Sequence, residues 1–302
     1  TLVTNDVLIA NMTFQNGNGT DNGGGVYITG GAQPRFEDMI FTNNMARYRG
    51  GAMFMDSPGA TLIVRRSRFT DNYVDYSNDN NTRGAAIAVS GAGSRLVVEE
   101  TTFSNNTSER YGGAIAIEGN GTPAYLSIAD SRIGDNAALE MDGGAIFGNL
   151  AVITITRSTV DNNRALANDR MGGAVYLTGV GSGLTLDGST LSNNQGFRQG
   201  GAIYASGNDI QINVLNGSTL TGNSTSDNDS SAYGGAIYLF GNRAVLNISA
   251  STVSTNTSVN YGGAIYIDGN SDTNQARLTI TDSEINNNQA TTHNGGGIWA
   301  DQ

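Results

Sequence analysis

Cysteine and lysine are both absent from this sequence, and each absence removes a class of chemistry. Without cysteine the chain forms no disulfide, and it offers no thiolate to zinc or to a catalytic cycle. All 16 basic residues are arginine, so Schiff-base and isopeptide chemistry are excluded as well. The single histidine, His293, has no evident Ser or Asp companion, and we expect it to be a solvated loop residue.

Positive charge and long apolar runs are also scarce. The net charge is −11, whereas phosphate binding needs clustered positive charge, so nucleic acid is not expected as a partner. No apolar run approaches the roughly 18 residues of a membrane-spanning helix, so this chain is expected to hold no such segment. Three prolines and 42 glycines, with few helix formers, indicate many short strands joined by tight turns.

What the sequence does contain is a repeat. A Gly-Gly-Ala-Ile-Tyr-like pentad recurs at spacings of 27 to 34 residues along the whole chain. The pentads begin at Gly23, Gly50, Gly84, Gly112, Gly143, Gly172, Gly200, Gly234, Gly262 and Gly295. Self-similarity of this period is typical of a solenoid. We therefore predict one repeat domain over residues 1–302, either complete or a segment of a longer array.

Two further elements recur between the pentads. One is an apolar residue followed three positions later by Asn, and the other is an alternating apolar pair such as Leu96/Val98 or Ile153/Ile155. Alternation of this kind is typical of a half-buried strand. In the weak copy at Asn213/Leu215, a bulge would let Ile212 and Val214 face inward instead. Each repeat offers three short strands but too few apolar residues to fold alone, which predicts an all-β parallel β-helix of about ten three-strand coils.

The recurring asparagines are predicted to stack at one corner as a buried amide ladder, because a buried amide is costly unless it is paired. The predicted ladder consists of Asn44, Asn72, Asn106, Asn136, Asn163, Asn194, Asn223, Asn256 and Asn288. The first copy departs from the pattern, since Phe14 is followed by Gly17 at the Asn position.

The alternation of Gly112-Gly113-Ala114-Ile115 with Phe103-Ser104-Asn105-Asn106 resembles the repeats of the chlamydial polymorphic outer membrane proteins. Gly50-Gly51-Ala52-Met53 and Phe41-Thr42-Asn43-Asn44 carry the same resemblance, which extends over essentially the whole chain. It implies a right-handed β-helix that is secreted as the passenger of an autotransporter and acts in adhesion at the cell surface.

One position of the pentad strand is predicted to form an outward aromatic stripe. It is occupied by Tyr27, Phe54, Phe147, Tyr176, Tyr204, Tyr238, Tyr266 and Trp299, with Ala88 and Ala116 as the two gaps. The functional hypothesis is that these rings bind glycan or another apolar surface. The alternative is that neighbouring rings only stabilise the sheet by stacking, or lie under loops.

The loops suggest other sites. Asp75, Asp79, Asp227 and Asp229 in the two longest loops could bind Ca²⁺, although no spacing matches a known calcium loop and no other cofactor is expected. Loop sequons at Asn18, Asn80, Asn120 and Asn228 could carry glycans. A polysaccharide lyase or glycosidase on the same scaffold would need clustered carboxylates, and candidates such as Asp130 with Asp135 or Glu99 with Glu100 are single occurrences without a convergent partner.

The sequence therefore predicts an extracellular or cell-surface protein without catalytic activity, with a carbohydrate-active enzyme as the alternative. Its expected partners are surface glycans or further copies of itself. The chain begins within one coil and stops within another, and its ends are complementary in length. This arrangement is compatible with a segment of a longer array or with head-to-tail stacking of subunits.

Overall fold

The computed structural model describes residues 6–75, 81–165, 167–226, 231–269 and 274–301. Within these ranges every regular element is a β-strand, and the forty strands form four parallel ten-stranded sheets. The chain visits sheets 1, 2, 3 and 4 in turn and then returns to sheet 1, one coil further along. From β1 to β37 it completes nine full turns, which makes the fold a parallel β-solenoid.

Sheets 1 and 2 contain the alternating apolar pairs and the apolar-x-x-Asn residues, respectively. Sheet 1 consists of β1 (Asp6–Ala10), β5 (Gln33–Glu37), β9 (Thr61–Arg65), β13 (Arg95–Glu99), β17 (Ala124–Ala129), β21 (Ala151–Thr156), β25 (Gly183–Asp187), β29 (Gln211–Leu215), β33 (Val245–Ser249) and β37 (Arg277–Thr281). Sheet 2 consists of β2 (Thr13–Gln15), β6 (Ile40–Thr42), β10 (Arg68–Thr70), β14 (Thr102–Ser104), β18 (Arg132–Gly134), β22 (Thr159–Asp161), β26 (Thr190–Ser192), β30 (Thr219–Thr221), β34 (Thr252–Ser254) and β38 (Glu284–Asn286).

Sheet 3 follows the ladder asparagines, and sheet 4 follows the Gly-Gly pairs. Sheet 3 consists of β3 (Asn18–Gly19), β7 (Met45–Ala46), β11 (Tyr73–Val74), β15 (Thr107–Ser108), β19 (Ala137–Ala138), β23 (Arg164–Ala165), β27 (Gln195–Gly196), β31 (Ser224–Thr225), β35 (Thr257–Ser258) and β39 (Gln289–Ala290). Sheet 4 consists of β4 (Val26–Thr29), β8 (Met53–Asp56), β12 (Ile87–Ser90), β16 (Ile115–Glu118), β20 (Ile146–Asn149), β24 (Val175–Thr178), β28 (Ile203–Ser206), β32 (Ile237–Phe240), β36 (Ile265–Asp268) and β40 (Ile298–Asp301).

The prediction of a parallel β-helix is confirmed, but the prediction of three strands per coil is wrong, because each coil has four. The additional strands are those of sheet 3, and each is two residues long. A two-residue strand is too short to show the alternation of apolar and polar residues by which a strand is recognised in a sequence. The right-handed sense of the helix stays a prediction.

In every coil the corners after sheets 1, 2 and 3 are each turned by a residue in the left-handed backbone region. In one coil these are Glu100, Asn105 and Gly112, with φ values of 48°, 55° and 61°. The middle corner recurs directly before the ladder position and is usually Asn or Asp, the non-glycine residues that adopt this conformation at least cost. This explains why the sequence so often places Asn or Asp ahead of the ladder asparagine.

The core is a single column enclosed by sheets 1, 2 and 4. One coil contributes Ile115 and Ile117 from sheet 4, Leu126 and Ile128 from sheet 1, and Ile133 from sheet 2, all buried. Each fully buried aliphatic side chain contributes roughly 1.5–3 kcal/mol relative to its exposed form. Equivalent residues pack directly above one another, so burial is achieved only by stacking coils.

In the weak copy of the alternating pair, Ile212 and Val214 face inward as its sequence suggested, but the strand contains no bulge. Ile212 and Val214 are fully buried and pair in register with Leu184 and Leu186 of the preceding coil. The additional residue lies in the following corner, where Asn216 and Gly217 both have positive φ. The turn therefore accommodates the additional residue, and the inward residues of the strand stay in register with those of the preceding coil.

The second glycine of the pentad that begins at Gly112 is required by close packing, and this can be tested. A Cβ at Gly113 would overlap the backbone of Gly144 and Ala137, so Gly113→Ala should destabilise the fold by several kcal/mol (~3 or more), as overpacking against rigid backbone does. Gly121 has open space around it and only a positive φ of 72°, so Gly121→Ala should cost about 1 kcal/mol. Urea unfolding of the two variants measures the difference, and equal stability would contradict this packing.

Candidate functional site

The predicted aromatic stripe lies on the outer side of sheet 4, separate from the main core. Phe147, Tyr176, Tyr204, Tyr238 and Tyr266 occupy one register position in successive coils. Successive ring centroids are 5.8, 4.9, 5.2 and 5.1 Å apart, and the interplanar angles do not exceed 12°. The rings therefore form one column of offset-stacked pairs, each worth about 0.5–1.5 kcal/mol beyond its buried area.

The two gaps in the stripe are filled from a neighbouring position. Ala88 and Ala116 are buried in a cluster with Phe54 and Phe147, and Tyr111 packs against this cluster with its ring centroid 4.8 Å from that of Phe147. The guanidinium of Arg83 lies 5.4 Å from the Phe147 ring and forms an ion pair with Glu118. Where the stripe has alanine, the large side chains of Tyr111 and Arg83 therefore occupy the neighbouring space.

Tyr111 and Arg83 belong to a second row, which we call the cover row. It consists of the residues directly before each Gly-Gly pair: Asn22, Arg49, Arg83, Tyr111, Asp142, Met171, Gln199, Tyr233, Tyr261 and Asn294. Isolated parallel bridges link its members from Asn22 to Tyr111 and from Met171 to Tyr261. The Tyr233 ring lies 4.8 Å from Tyr266, and the Tyr261 ring lies 4.7 Å from Trp299.

The cover row corrects the expectation that the stripe is exposed. Phe54, Phe147, Tyr204, Tyr238 and Tyr266 are between 2% and 9% exposed, whereas Tyr176 and Trp299 are half-buried. Tyr27 alone among the eight is largely accessible, at 54%, although it stacks on Phe54 with centroids 5.5 Å apart. Ligand binding by these rings stays a prediction, and the geometry by itself accounts for them as packing.

Burial also fixes the protonation state of the column. It raises the pKa of the Tyr176, Tyr204 and Tyr238 hydroxyls, so these groups remain protonated at any physiological pH. Burial likewise raises the pKa of Tyr111 in the cover row. These four tyrosines therefore present neutral hydroxyl groups.

Asp142 is the exceptional member of the cover row, because it is a carboxylate that is only 7% exposed. Its burial raises its pKa to about 6, against the lowering effects of the Met171 backbone N–H and of Arg170. The Met171 N–H donates to Asp142 Oδ1 at 2.9 Å. This carboxyl therefore titrates close to neutrality within a largely aromatic environment.

The nine predicted ladder asparagines lie in one column at the corner between sheets 2 and 3. Each Nδ2 from Asn44 to Asn256 donates to the Oδ1 of the next member, at 2.9 to 3.0 Å. Each backbone N–H in the same range donates to that same Oδ1, at 2.9 to 3.1 Å. At the first coil, where Gly17 stands in place of Asn, its backbone N–H donates to Asn44 Oδ1.

An interior ladder residue uses its full hydrogen-bonding capacity. Asn106 accepts two bonds from Asn72, and its Nδ2 donates to the Phe69 carbonyl of the preceding coil and to Asn136 Oδ1 of the next. An amide has two acceptor sites and two donor hydrogens, so none is left unsatisfied in the interior. The sequons at Asn106, Asn223 and Asn256 belong to this buried column.

A second ladder, which the sequence analysis did not identify, lies at the corner between sheets 1 and 2. In seven coils a hydroxyl oxygen accepts the backbone N–H of the equivalent residue in the preceding coil, at 3.0 to 3.2 Å. The acceptors are Ser67, Thr101, Ser131, Ser158, Ser189, Ser218 and Ser283. The signal was present, since Ser or Thr usually stands two positions before the apolar residue of sheet 2.

Three of the four candidate catalytic carboxylates, all except Glu100, are paired with arginine. Asp130 accepts two hydrogen bonds from Arg157 of the next coil, Asp135 is paired with Arg132, and Glu99 is paired with Arg65. His293 is exposed and contacts the Tyr261 ring at 4.9 Å. Within the described ranges no group of three or more His, Asp or Glu side chains is placed to hold a metal ion.

The loop predictions are only partly covered by the structure. Asp75 is exposed, but Asp79, Asp227 and Asp229 lie outside the described residues, so calcium binding stays a prediction. Of the four loop sequons, Asn18 and Asn120 are exposed. Asn80 and Asn228 also lie outside the described residues.

These stacked rows define the class of the molecule, a parallel β-solenoid built from pentad and apolar-x-x-Asn repeats. Residues 100–118, which hold the Phe103 and Gly112 copies, match the family model of the Chlamydia polymorphic membrane protein repeat. The match and the solenoid together confirm the resemblance predicted from the sequence. No curated protein and no solved structure matches the chain. The part of the chain that the structure describes has no helix with the length and hydrophobicity to cross a bilayer.

The ladder predicts a sharp difference between two neighbouring asparagines. In Asn163→Asp, a carboxylate oxygen would replace Nδ2 and face the Ile133 carbonyl and Asn194 Oδ1, so stability should fall by about 3 kcal/mol or more. Asn162 is the matched control, because it turns the corner (φ 56°) outside the ladder, where Asp71 and Asp135 occupy equivalent positions, and its Nδ2 donates to Asp161 Oδ2 at 3.0 Å. Asn162→Asp should cost only about 1 kcal/mol, for the loss of that bond. Equal losses in urea unfolding would contradict the ladder.

Asp142 predicts a pH-dependent change in stability. Its pKa rises from 3.8 to about 6 on folding, so between these values the folded state binds the additional proton. The contribution of this group to stability is therefore greatest below about pH 4 and is lost as the pH rises through 6. An asparagine side chain here would keep the acceptor for the Met171 N–H, so Asp142→Asn should stabilise the protein at pH 7 by up to about 3 kcal/mol. The gain should vanish near pH 4, and a gain independent of pH would contradict this account.

Proposed function

We propose that the chain is a non-catalytic, adhesive rod of a cell-surface protein, displayed outside the cell. The observation that carries the proposal is that every sheet keeps its register from the first coil to the last, so each outward position forms a row along the axis. At about 4.8 Å between parallel strands, such a row is roughly 45–50 Å long. An extended ligand can contact a row of this kind at several points, and weak contacts then add by multivalency.

Two further observations support this proposal. The matched repeat belongs to a polymorphic membrane protein family, which points to the cell surface. The carboxylates that a lyase or glycosidase would need are instead held by arginines of their own or adjacent coils, as with Asp130 and Arg157. An arginine bound to a carboxylate neutralises its charge, which disfavours the acid–base and nucleophilic roles that glycoside hydrolysis requires.

Head-to-tail self-association is the second candidate function. Core-facing side chains of the first and last coils, including Phe14, Leu278 and Ile285, are only half-buried. A second copy, or a further coil of the same chain, would cover them. Sedimentation velocity over a wide concentration range distinguishes an associating species from a monomer.

Adhesion can be measured with coated microbeads under laminar flow over mucin, over neutral oligosaccharides and over bare glass. Beads coated with the chain should be retained several-fold better than albumin-coated beads on at least one of the two glycan surfaces, because many stacked positions engage together. Retention equal to that of albumin beads on every surface would contradict the adhesive function. Release of reducing ends or unsaturated sugars from the same surfaces would favour the enzyme instead.

A further inference from the structure

A notch interrupts the outer face of sheet 1 at Gly183. One outward register row there runs Tyr125, Val152, Gly183, Gln211 and Val245 in successive coils, so Gly183 is the one position without a side chain between large neighbours. The opening has a cavity volume of about 400 Å³. Its lining includes Val152, Leu184, Thr185, Asp209, Gln211 and Asn213.

Neither packing nor backbone conformation requires glycine at this position. Gly183 does not have a positive φ, and a Cβ built on it would meet only the Gln211 carbonyl oxygen, at an ordinary contact distance of 3.6 Å. This distinguishes it from Gly113, where a Cβ would overlap backbone. Glycine within a strand costs roughly 0.5–1 kcal/mol relative to alanine, and it often marks a place where a ligand approaches the backbone. The notch is the structural consequence of this glycine.

The polar groups of the notch are amides and a hydroxyl. Gln211 is exposed, and Thr185 is half-buried. Asn213 Oδ1 accepts a hydrogen bond from Asn247 Nδ2 at 2.9 Å, which leaves the Asn213 Nδ2 hydrogens to donate to a ligand. Amides and hydroxyls of this kind recognise the hydroxyl groups of sugars, because both can donate and accept hydrogen bonds.

The notch has no charge to offer to a ligand. Its one ionic group, the Asp209 carboxylate, is bound by two nitrogens of Arg243 at 2.7 and 2.6 Å. The net charge of −11 disfavours an anionic ligand further. Val152 supplies an apolar flank, against which the C–H face of a sugar ring can pack. Val152 and Gln211 are two strand spacings apart, about 9.6 Å, which is wide enough for one ring.

We propose that the Gly183 notch binds one residue of a neutral oligosaccharide, by hydrogen bonds from Gln211, Asn213 and Thr185 and by contact with Val152. The inference rests on the proposed adhesive function, because it names the site and the class of ligand for that function. It assigns recognition to sheet 1 rather than to the covered aromatic stripe of sheet 4.

The decisive variant is Gly183→Val, which fills the notch with a residue that favours strands. The probes are neutral oligosaccharides of glucose, galactose, mannose and N-acetylglucosamine, each with a sulfated counterpart, titrated by calorimetry against the full chain. We expect saturable binding of at least one neutral member and at least about tenfold weaker binding by Gly183→Val. The melting temperature of the variant should equal or exceed that of the wild type.

Ser127→Val is the matched control, because Ser127 is exposed on the same sheet, two coils before Thr185. This control should bind as the wild type does, whereas Gln211→Ala should weaken binding. The proposal is overturned if no neutral member binds, if the sulfated members bind better, or if Gly183→Val binds as well as the wild type.

The two proposals fail in different ways. If coated beads adhere but Gly183→Val beads adhere equally, the adhesive function stands and the notch proposal is wrong. If the notch binds sugar in solution but coated beads are retained no better than albumin beads, the notch proposal stands and the adhesive function is wrong.

Discussion

The buried amide ladder is the constraint on which the rest of the structure depends. Repeat lengths vary from 27 to 34 residues, so the length of a repeat alone does not determine where one coil stacks on the next. The asparagine in each coil does so, because a displaced interior amide would lose up to four hydrogen bonds in a buried position, as Asn106 shows. Since an unsatisfied buried polar group costs roughly 1–3 kcal/mol, even a shift in one coil is strongly disfavoured. Length differences are then taken up in the loops, as at the Asn216-Gly217 corner.

Once the ladder fixes the register, every outward position becomes a row. The aromatic column, the cover row and the arginine–carboxylate pairs all result from residues one coil apart being placed side by side. Arg157 with Asp130 and Arg243 with Asp209 are separated by 27 and 34 residues in sequence, yet each pair spans one strand spacing. The Gly183 notch results from the same rule, because a missing side chain leaves a gap only where the neighbours above and below are held in line. The residues that occupy each outward row therefore determine what the surface presents to a ligand.

Much of the fold could be predicted from the sequence because its determinants are periodic. Glycine pairs, asparagines and alternating apolar residues such as Leu126 and Ile128 recur in nearly every repeat, and each has one structural explanation. The strands of sheet 3 could not be predicted, since two residues such as Met45 and Ala46 contain no pattern. The burial of Tyr204 or Tyr238 could not be predicted either. The burial of these rings depends on cover-row residues such as Tyr233. The cover row has no common residue type by which it could be recognised in the sequence.

The most direct measurement of the central claim is hydrogen exchange of the asparagine side-chain amides, followed by NMR under native conditions. If the ladder locks the coils, the Nδ2 protons from Asn72 to Asn256 should exchange only through global unfolding, with a free energy equal to that from urea titration. The Nδ2 protons of exposed residues such as Asn193 should exchange at the rate of free amides. Rapid exchange of the interior ladder protons in the folded protein would contradict the account.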